Sequence, residues 1–336
     1  MFVSENTIES SLIPDAAPIA PAHTLGYKVP TDVDNIVDAL LSAGISTAPP
    51  VKVPMASVMP DGAVREVPGR FNLLDEATGR IVGENVSDRY QPIGFGEQLA
   101  VLGNITGLHT GDFKLDRVVS FDGRTIFFSV ALSSMAYSVK GLDDSVTPHI
   151  WMYGSHDSST STGATCATSQ AQCSNQLAMT KQMAKGLGLP QFNIRHTRSA
   201  PARLKLAGEM LMNCEKIVMT QKAIMQQLAS DRFTPADFSK FVDALMPLPT
   251  EPLEGEPTRG YTLALNRREK LFDLYAGGRH AAGTEGTKWR ALNAVTEYTT
   301  HYMATRGGNP DEKRFLSTLN GPAAKLNDHA MRLLTA

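Results

Sequence analysis

The sequence predicts an α+β protein: an antiparallel, β-rich core with a long packed helix, followed by a helical C-terminal region. Three observations carry this prediction. Strand and hairpin patterns crowd residues 51–153, helical periodicity prevails from Gln172 to the end, and strands come before helices. That order argues against a doubly wound parallel sheet, in which strands and helices alternate.

The composition is that of an ordinary globular protein of 336 residues, with 42% hydrophobic and 20% charged residues. A net charge of −2 gives no overall attraction for nucleic acid, so any such site has to be a local basic patch. Cys166, Cys173 and Cys214 show no paired spacing, which argues against a disulfide scaffold or a zinc site and favours the cytoplasm. Neither a secretory signal nor a membrane span is expected.

The chain is divided into three parts. Residues 1–30 are rich in Pro, Ala, Ser and acid, which predicts a flexible N-terminal arm. Residues 31–230 form the predicted α+β core domain, and residues 231–336 the predicted helical C-terminal region. The core opens with a short helix that has Leu40 and Leu41 on its apolar face. The arm and this helix would suit subunit contacts, or the helix packs on its own domain.

Turn chemistry marks the β region. Residues 51–58 read as a strand, and residues 71–86 as a hairpin. The clearest hairpin is predicted over residues 117–132, because Asp122-Gly123 supplies both positive-φ positions of a type I′ turn. A helix over residues 96–105 interrupts the strands.

Five helices are predicted after residue 200, the longest from Pro201 to about Leu228. Its seam is expected to pack across the sheet; the residues are Leu204, Ala207, Leu211, Cys214, Val218, Gln221, Met225 and Leu228. Thr234 caps the next helix. After a Pro- and acid-rich linker at 247–259, helices are predicted at about 261–276, 286–305 and 310–334.

The stretch from His149 to His196 is the most distinctive. It begins as a strand, passes through Ser155-His156-Asp157 into a tract of Ser, Thr, Ala and Gly, and enters a helix near Gln172. Such a tract lets the backbone approach a ligand closely. A long surface hairpin without a ligand has the same composition.

Several short segments resemble landmarks of a family of unknown function found in phage and plasmid genomes. They are Asp88 to Ile93, Ser155-His156-Asp157-Ser158, Cys173-Ser174-Asn175-Gln176-Leu177, Ile194-Arg195-His196-Thr197 and Gly286 to Tyr298, with His301. The family usually has glycine at the position of Ser158 and threonine at that of Gln176. It looks remotely similar to the ring-forming single-strand annealing proteins of phage recombination. This resemblance implies a β-rich core backed by a long helix, an oligomer, and a basic groove for the DNA backbone.

Basic residues are concentrated in one segment. Between Asn175 and Ile224, eight basic residues face two acidic ones, an excess of six positive charges. A solvated helix face carries the same pattern, and the family resemblance is what favours a DNA-binding groove. The predicted DNA-binding residues are Lys181, Lys185, Arg195, His196, Arg198, Arg203 and Lys205, together with His156. A second, more diluted cluster comprises Arg267, Arg268, Lys270, Arg279, Lys288 and Arg290.

Aromatic side chains could stack on bases, although a tryptophan in a strand or an apolar helix more often belongs to the core. The candidates are Tyr90, Trp151, Tyr153, Phe192 and Trp289.

The function predicted on this basis is that of a non-enzymatic, oligomeric single-stranded DNA-binding or annealing protein of phage or plasmid recombination, without cofactor or catalytic residues, in the host cytoplasm. The chain has no nucleophile elbow, Walker loop or dinucleotide fingerprint. Neighbouring residues on a strand point to opposite faces, so Ser155, His156 and Asp157 do not make a relay alone. Two alternatives stay open: a metal-dependent nuclease or other DNA-processing enzyme, and a protein-binding module acting on host proteins.

Overall fold

A computed structural model describes residues 40–41, 45–106, 114–140, 145–169, 192–200, 202–204, 214–250, 257–278, 283–307 and 310–336. Within these residues the strands come first and the helices later, so the fold is α+β with a helical C-terminal region, as predicted. The predicted arm and the predicted helix start near Gln172 lie outside the described residues.

Strands and helices hardly alternate along the chain. The strands are β1 (Val51–Val58), β2 (Val64–Asp75), β3 (Arg80–Ser87), β4 (Lys114–Phe121), β5 (Thr125–Ala131), β6 (Tyr137–Ser138), β7 (Ser145–Ser155), β8 (Thr162–Ser169) and β9 (Phe192–Ile194). The helices are α1 (Phe95–Thr106), α2 (Cys214–Ser230), α3 (Pro235–Leu245), α4 (Arg259–Gly277), α5 (Lys288–Glu297), α6 (Pro310–Asn320) and α7 (Pro322–Thr335). A 3₁₀ turn spans Ser133–Met135, and the π-helix Tyr298–Tyr302 continues α5. None of the described helices is both long and apolar enough to cross a membrane.

The larger sheet is antiparallel, with the strand order β4-β5-β7-β8-β9 and the short β6 paired to β7. Strand β5 is buried along nearly its whole length because both of its faces are covered. On one face Ile126 and Phe128 join an apolar cluster that includes Leu99 of α1. On the other face the rings of Phe127 and Trp151 lie 4.5 Å apart between centroids.

The predicted Asp-Gly hairpin is confirmed between β4 and β5. Asp122 and Gly123 have φ angles of 52° and 69°, and the amide of Arg124 donates to the carbonyl oxygen of Phe121 at 2.9 Å. Glycine adopts this left-handed conformation without steric cost, and Asp tolerates it better than most residues.

The smaller sheet has the order β1-β2-β3 and buries Leu73, Val82 and Val86 on one face. It packs directly against the loop that follows β7. A Cβ atom added at Gly83 would stand 2.5 Å from the carbonyl oxygen of His156, so only glycine permits this approach. The contact places the smaller sheet beside the candidate site.

The C-terminal helices enclose a second apolar cluster, which includes Phe238, Trp289 and Leu292. Trp289 is thus a core residue.

The predicted cap of α3 is a full capping box. The Thr234 hydroxyl accepts the amide of Asp237 at 3.2 Å, and the Asp237 carboxylate accepts the amide of Thr234 at 3.0 Å.

Helix α2 joins the two apolar clusters. Val218 packs in the cluster of the larger sheet. Met225 and Leu228 pack in the cluster of the C-terminal helices, which also includes Val146 of β7, and the Tyr137 hydroxyl of β6 donates to Sδ of Met225 at 3.4 Å. The predicted long helix is confirmed over residues 202–204 and 214–228, and residues 205–213 lie outside the described residues. The described part of its seam therefore packs on the sheet, as predicted, and its C-terminal half also contacts the C-terminal helices.

The tract of small polar residues after Asp157 contains a strand that the sequence did not predict. Residues 156–161 form the turn of a hairpin, and β8 returns along β7 from the Tyr153–Gly163 pair to the Thr147–Ser169 pair. Small residues suit this strand because there is little space beneath it: Thr162 and Ala164 are buried.

Two helix predictions also need correction. The single helix predicted over residues 310–334 is two helices, because Pro322 has no amide hydrogen to donate and instead begins a new helix after Gly321. Leu41, predicted on an apolar face, is 46% exposed, whereas Leu40 is buried.

Candidate functional site

Three of the segments on which the family resemblance rests meet at one place, next to the contact between the two sheets. The Tyr90 hydroxyl donates to the carbonyl oxygens of Ser155 and His156, at 3.3 and 3.2 Å. The amide of Gln91 donates to the carbonyl oxygen of His196 at 3.0 Å. We name the group formed by Tyr90, Gln98, His156, Thr162 and His196 the histidine cluster.

Both imidazoles of the histidine cluster are stacked on aromatic rings. Tyr90 and His196 lie nearly parallel, with centroids 4.9 Å apart and an angle of 8° between the planes. Phe95, at the start of α1, lies 4.2 Å from the ring of His156. These contacts use the ring faces that a base would otherwise occupy.

Burial keeps both imidazoles neutral. It lowers the pKa of His156 to about 3, with a further contribution from His196, while Asp75 and Asp157 act in the opposite direction. It lowers the pKa of His196 to about 4, against the opposing effect of the Gln91 backbone. Burial also raises the pKa of the Tyr90 hydroxyl, and the charge of Asp157 adds to that rise. At neutral pH the cluster therefore holds polar but uncharged side chains.

Several polar atoms of the histidine cluster are buried without a hydrogen bond to any described residue. They are the Nδ1 atoms of His156 and His196 and both polar atoms of the Gln98 side chain. The Gln98 amide lies so close above Gly154 that a Cβ atom there would stand 2.6 Å from Nε2. Thr162 completes the cluster, with its hydroxyl 3.3 Å from Nε2 of His196.

The histidine cluster is tightly packed and not an open cleft. The crevice beside it, lined by Asp75, Phe95 and His156 among others, has no room for a water molecule. A substrate therefore has no access to the imidazoles in this conformation. The chemical role that the arrangement supports is to fix the backbone segments that carry these residues.

The loop after β7 is held by its own side chains. The Ser155 hydroxyl donates to the carbonyl oxygen of Thr160 at 2.8 Å and accepts the amide of Thr160 at 3.0 Å. The Asp157 carboxylate accepts the amide of Ser159 at 2.9 Å. These bonds make Ser155 and Asp157 turn-forming residues.

Ser158 stands at a left-handed position of this loop, with a φ angle of 63°. Glycine adopts this conformation without steric cost, whereas a residue with a Cβ atom is strained there. The Ser158 side chain lies close enough to Tyr90 to oppose the rise in the tyrosine's pKa.

The predicted DNA-binding residues separate into three groups. Arg195, Arg198 and Arg203 are exposed, at and after the end of β9. His156 and His196 are only 3% and 8% exposed, so their predicted contact with phosphates is wrong for this conformation. Lys181, Lys185 and Lys205 lie outside the described residues.

Most of the aromatic candidates for base stacking belong to the core, the interpretation that the sequence already favoured for the two tryptophans. Trp151, Tyr153 and Trp289 are 7%, 2% and 1% exposed, so their rings cannot meet a base. Tyr90 is stacked on His196. The side chain of Phe192 lies outside the described residues.

Sequence reasoning missed Gln98 and Glu312. Gln98 directly precedes the apolar run Leu99 to Leu102 of α1, which was an available signal. Glu312 of α6 has its pKa raised by burial and by the charges of Asp157 and Asp122, which places it near the loop after β7. No local pattern indicates this contact.

In the described part of the chain, no group of three or more His, Cys, Asp or Glu side chains could hold a metal ion. The fold and the site define an α+β protein in which a buried histidine cluster supports a sheet edge that carries exposed arginines. The family model of a domain of unknown function, DUF932, matches residues 83–318, and the chain belongs to this family. No curated protein and no solved structure is significantly similar to it.

Proposed function

We propose that this protein binds single-stranded DNA through Arg195, Arg198 and Arg203 and promotes the pairing of complementary strands, without catalysis of its own. The observation that carries the proposal is the exposure of these three arginines within nine residues of chain. None of them makes an ion pair with a described residue. Their charge is therefore available to phosphates.

The histidine cluster supports this surface mechanically. Strand β9 is the described edge of the larger sheet, and the chain continues from it with Arg195 exposed and His196 buried. The stack of His196 on Tyr90 anchors the backbone between Arg195 and Arg198. An anchored backbone loses less conformational entropy when its arginines bind phosphates.

Binding through phosphates would leave the bases free to pair, as annealing requires. The burial of Trp151, Tyr153 and Trp289 agrees with this, because these rings cannot cover the bases. The family resemblance supports the same function, with a homo-oligomer and a phage or plasmid origin as further parts of the proposal. The neutral charge balance of the whole chain is compatible with a local site.

The test is the fluorescence anisotropy of a labelled single-stranded oligonucleotide over a salt series, with duplex as competitor. The double variant Arg195→Ala/Arg198→Ala should bind more weakly, and its salt slope should fall by about 1.4, since each phosphate contact to a single strand contributes about 0.7. Arg65→Ala/Arg80→Ala is the matched control, because it removes the same charge from two exposed arginines of the smaller sheet.

Two further readouts separate the alternatives. Complementary labelled strands should anneal faster with the wild-type protein than without protein. The Arg195→Ala/Arg198→Ala variant should accelerate annealing less than the wild type does. Cleavage of the oligonucleotide with Mg²⁺ or Mn²⁺ would instead favour the nuclease. Wild-type binding by the double variant, or an equal loss in the control, would overturn the proposal.

A further inference from the structure

The C-terminal helices enclose an open cavity of about 800 Å³, far from the sheet edge in sequence. It lies between the end of α3, one face of α4, the π-helix and the start of α7. Four of its lining residues are basic: Arg267 and Lys270 from α4, and Lys325 and His329 from α7. None of its described lining residues is acidic.

The basic side chains are not neutralised within the fold. Arg267, Lys270 and Lys325 make no ion pair with a described residue. Their neighbours on the same helices are paired elsewhere. Arg268 pairs with Asp243 of α3, and Arg332 lies 3.9 Å from Asp328.

One wall of the cavity has an exposed aromatic ring. Tyr302, at the end of the π-helix, is 40% exposed, whereas Tyr298, at its start, is buried at 5%. The wider turn between them is closed by the amide of Met303 donating to the carbonyl oxygen of Tyr298 at 2.9 Å. Short π-helical turns often occur at functional sites. The ammonium of Lys270 lies 4.2 Å from the centre of the Tyr302 ring, so one cation is already held at this wall.

We propose that this cavity binds a nucleotide, with its phosphates at Arg267, Lys270 and Lys325 and its base against the exposed ring of Tyr302. Arginine and lysine are the usual phosphate-binding residues, and a phenol ring offers a flat face to a base. A cavity of about 800 Å³ is of a size typical for small-molecule sites. The ligand chemistry, a phosphate next to a flat ring, is shared by a free nucleotide and by the phosphorylated end of a strand.

The test is isothermal titration calorimetry of the full chain with ATP, AMP, inorganic phosphate and adenosine. ATP should bind more tightly than AMP, and both more tightly than phosphate or adenosine, because only a nucleotide engages both walls. Arg267→Ala/Lys325→Ala should weaken ATP binding at least about tenfold, as two charge-assisted contacts are lost. Both side chains are exposed, so the variant should fold, and thermal unfolding checks this.

Arg259→Ala is the matched control: it removes an exposed arginine from the same helix α4 but outside the cavity, and should leave ATP binding unchanged. A competition experiment then identifies the source of the phosphate. If a 5′-phosphorylated oligonucleotide displaces ATP and the same oligonucleotide with a 5′-hydroxyl does not, the site binds strand ends. If neither displaces ATP, the site binds free nucleotides. No binding of ATP at millimolar concentration, or equal binding by the double variant, would overturn the inference. Arg195→Ala/Arg198→Ala should not affect ATP binding, so this test is independent of the DNA-binding proposal.

Discussion

The sheet half and the helical half of this molecule use the same residue types in opposite ways. In the sheet half, Tyr90 and His196 stack on each other, with His196 buried and Tyr90 half-buried. In the helical half, Tyr302 and His329 line an open cavity together with lysine and arginine side chains. The first arrangement excludes ligands, whereas the second leaves charge and ring faces accessible.

This difference shows that residue type alone does not identify a site. Histidine and tyrosine near a Ser-His-Asp motif are typical of catalysis, yet here the imidazoles are buried and neutral. Their contribution is to hold backbone segments that are distant in sequence. Binding is expected where cations are exposed and unpaired, at Arg195 and Arg198 and in the cavity near Arg267.

The largest expected effect is a loss of stability at mildly acidic pH that originates in the sheet half. The folded-state pKa values of His156 and His196, about 3 and 4, lie below the ordinary histidine value of about 6.5. Between these values the unfolded chain binds more protons than the folded one. The stabilisation is therefore complete above about pH 6.5 and is lost as pH falls towards the folded-state values, by up to about 1.4 kcal/mol per pH unit for each histidine.

Urea unfolding followed by tryptophan fluorescence at several pH values measures this slope. The double variant His156→Gln/His196→Gln should be less stable but should show a much flatter dependence on pH. His329→Asn, in the open cavity, is the control and should keep the wild-type slope. A wild-type slope in the double variant would show that other groups cause the acid sensitivity.

The sequence predicted the elements whose signals are local. Asp122-Gly123 and the Thr234 cap each depend on residues within one turn, and both are confirmed. The break at Gly321-Pro322 has a local signal too, but the apolar pattern on both sides concealed it. Strand β8 was missed because its small residues lack the β-branched and aromatic pattern, and its burial depends on neighbouring strands.

The histidine cluster could not be assembled from the sequence by periodicity. Tyr90, His156 and His196 come from three distant parts of the chain, and their contact depends on how the two sheets pack. The order of the family landmarks indicated that these residues matter, without indicating that they are buried. Whether an arginine is paired depends likewise on tertiary contacts: Arg268 is paired with Asp243, and its neighbour Arg267 has no ion-pair partner among the described residues.

A smaller effect on stability is expected from replacing Gln98. The sign of this effect distinguishes whether the Gln98 side chain serves packing or ligand binding. Gln98 is fully buried, and neither polar atom of its side chain has a hydrogen bond to a described residue. Replacing such groups by an apolar side chain of similar shape removes their desolvation cost. Gln98→Met should therefore raise the free energy of unfolding by about 1–2 kcal/mol.

Urea unfolding at neutral pH measures this change. Gln221→Met is the matched control: Gln221 is equally buried but interacts with another residue, so its replacement also removes an interaction and should stabilise the protein less than Gln98→Met. A destabilised Gln98→Met variant would instead indicate that the amide serves a bound molecule, and would make the sheet half a binding site as well.

The smallest expected effect is at Ser158, where the loop beside the histidine cluster has its left-handed residue. A Cβ atom at such a φ angle lowers the free energy of unfolding by about 1–2 kcal/mol. Glycine avoids this strain but loses more conformational entropy on folding, which costs about 0.5–1 kcal/mol. The Ser158 side chain offsets part of the strain because it is polar and lies close to the Tyr90 hydroxyl, whose pKa it lowers; alanine lacks this polar group. The Ser158→Gly variant should therefore be at least as stable as the wild type, and Ser158→Ala less stable. The free energies of unfolding of the two variants should differ by about 1 kcal/mol.

The same pair of substitutions at Ser57, an exposed residue in the extended strand β1, should give the opposite order. A strand position disfavours glycine relative to alanine, because glycine loses more conformational freedom on folding. The midpoints of urea unfolding of the four variants measure both differences, provided that the slope of unfolding free energy against urea concentration is the same for all of them. If alanine is the more stable residue at both positions, the loop does not hold Ser158 in its left-handed conformation.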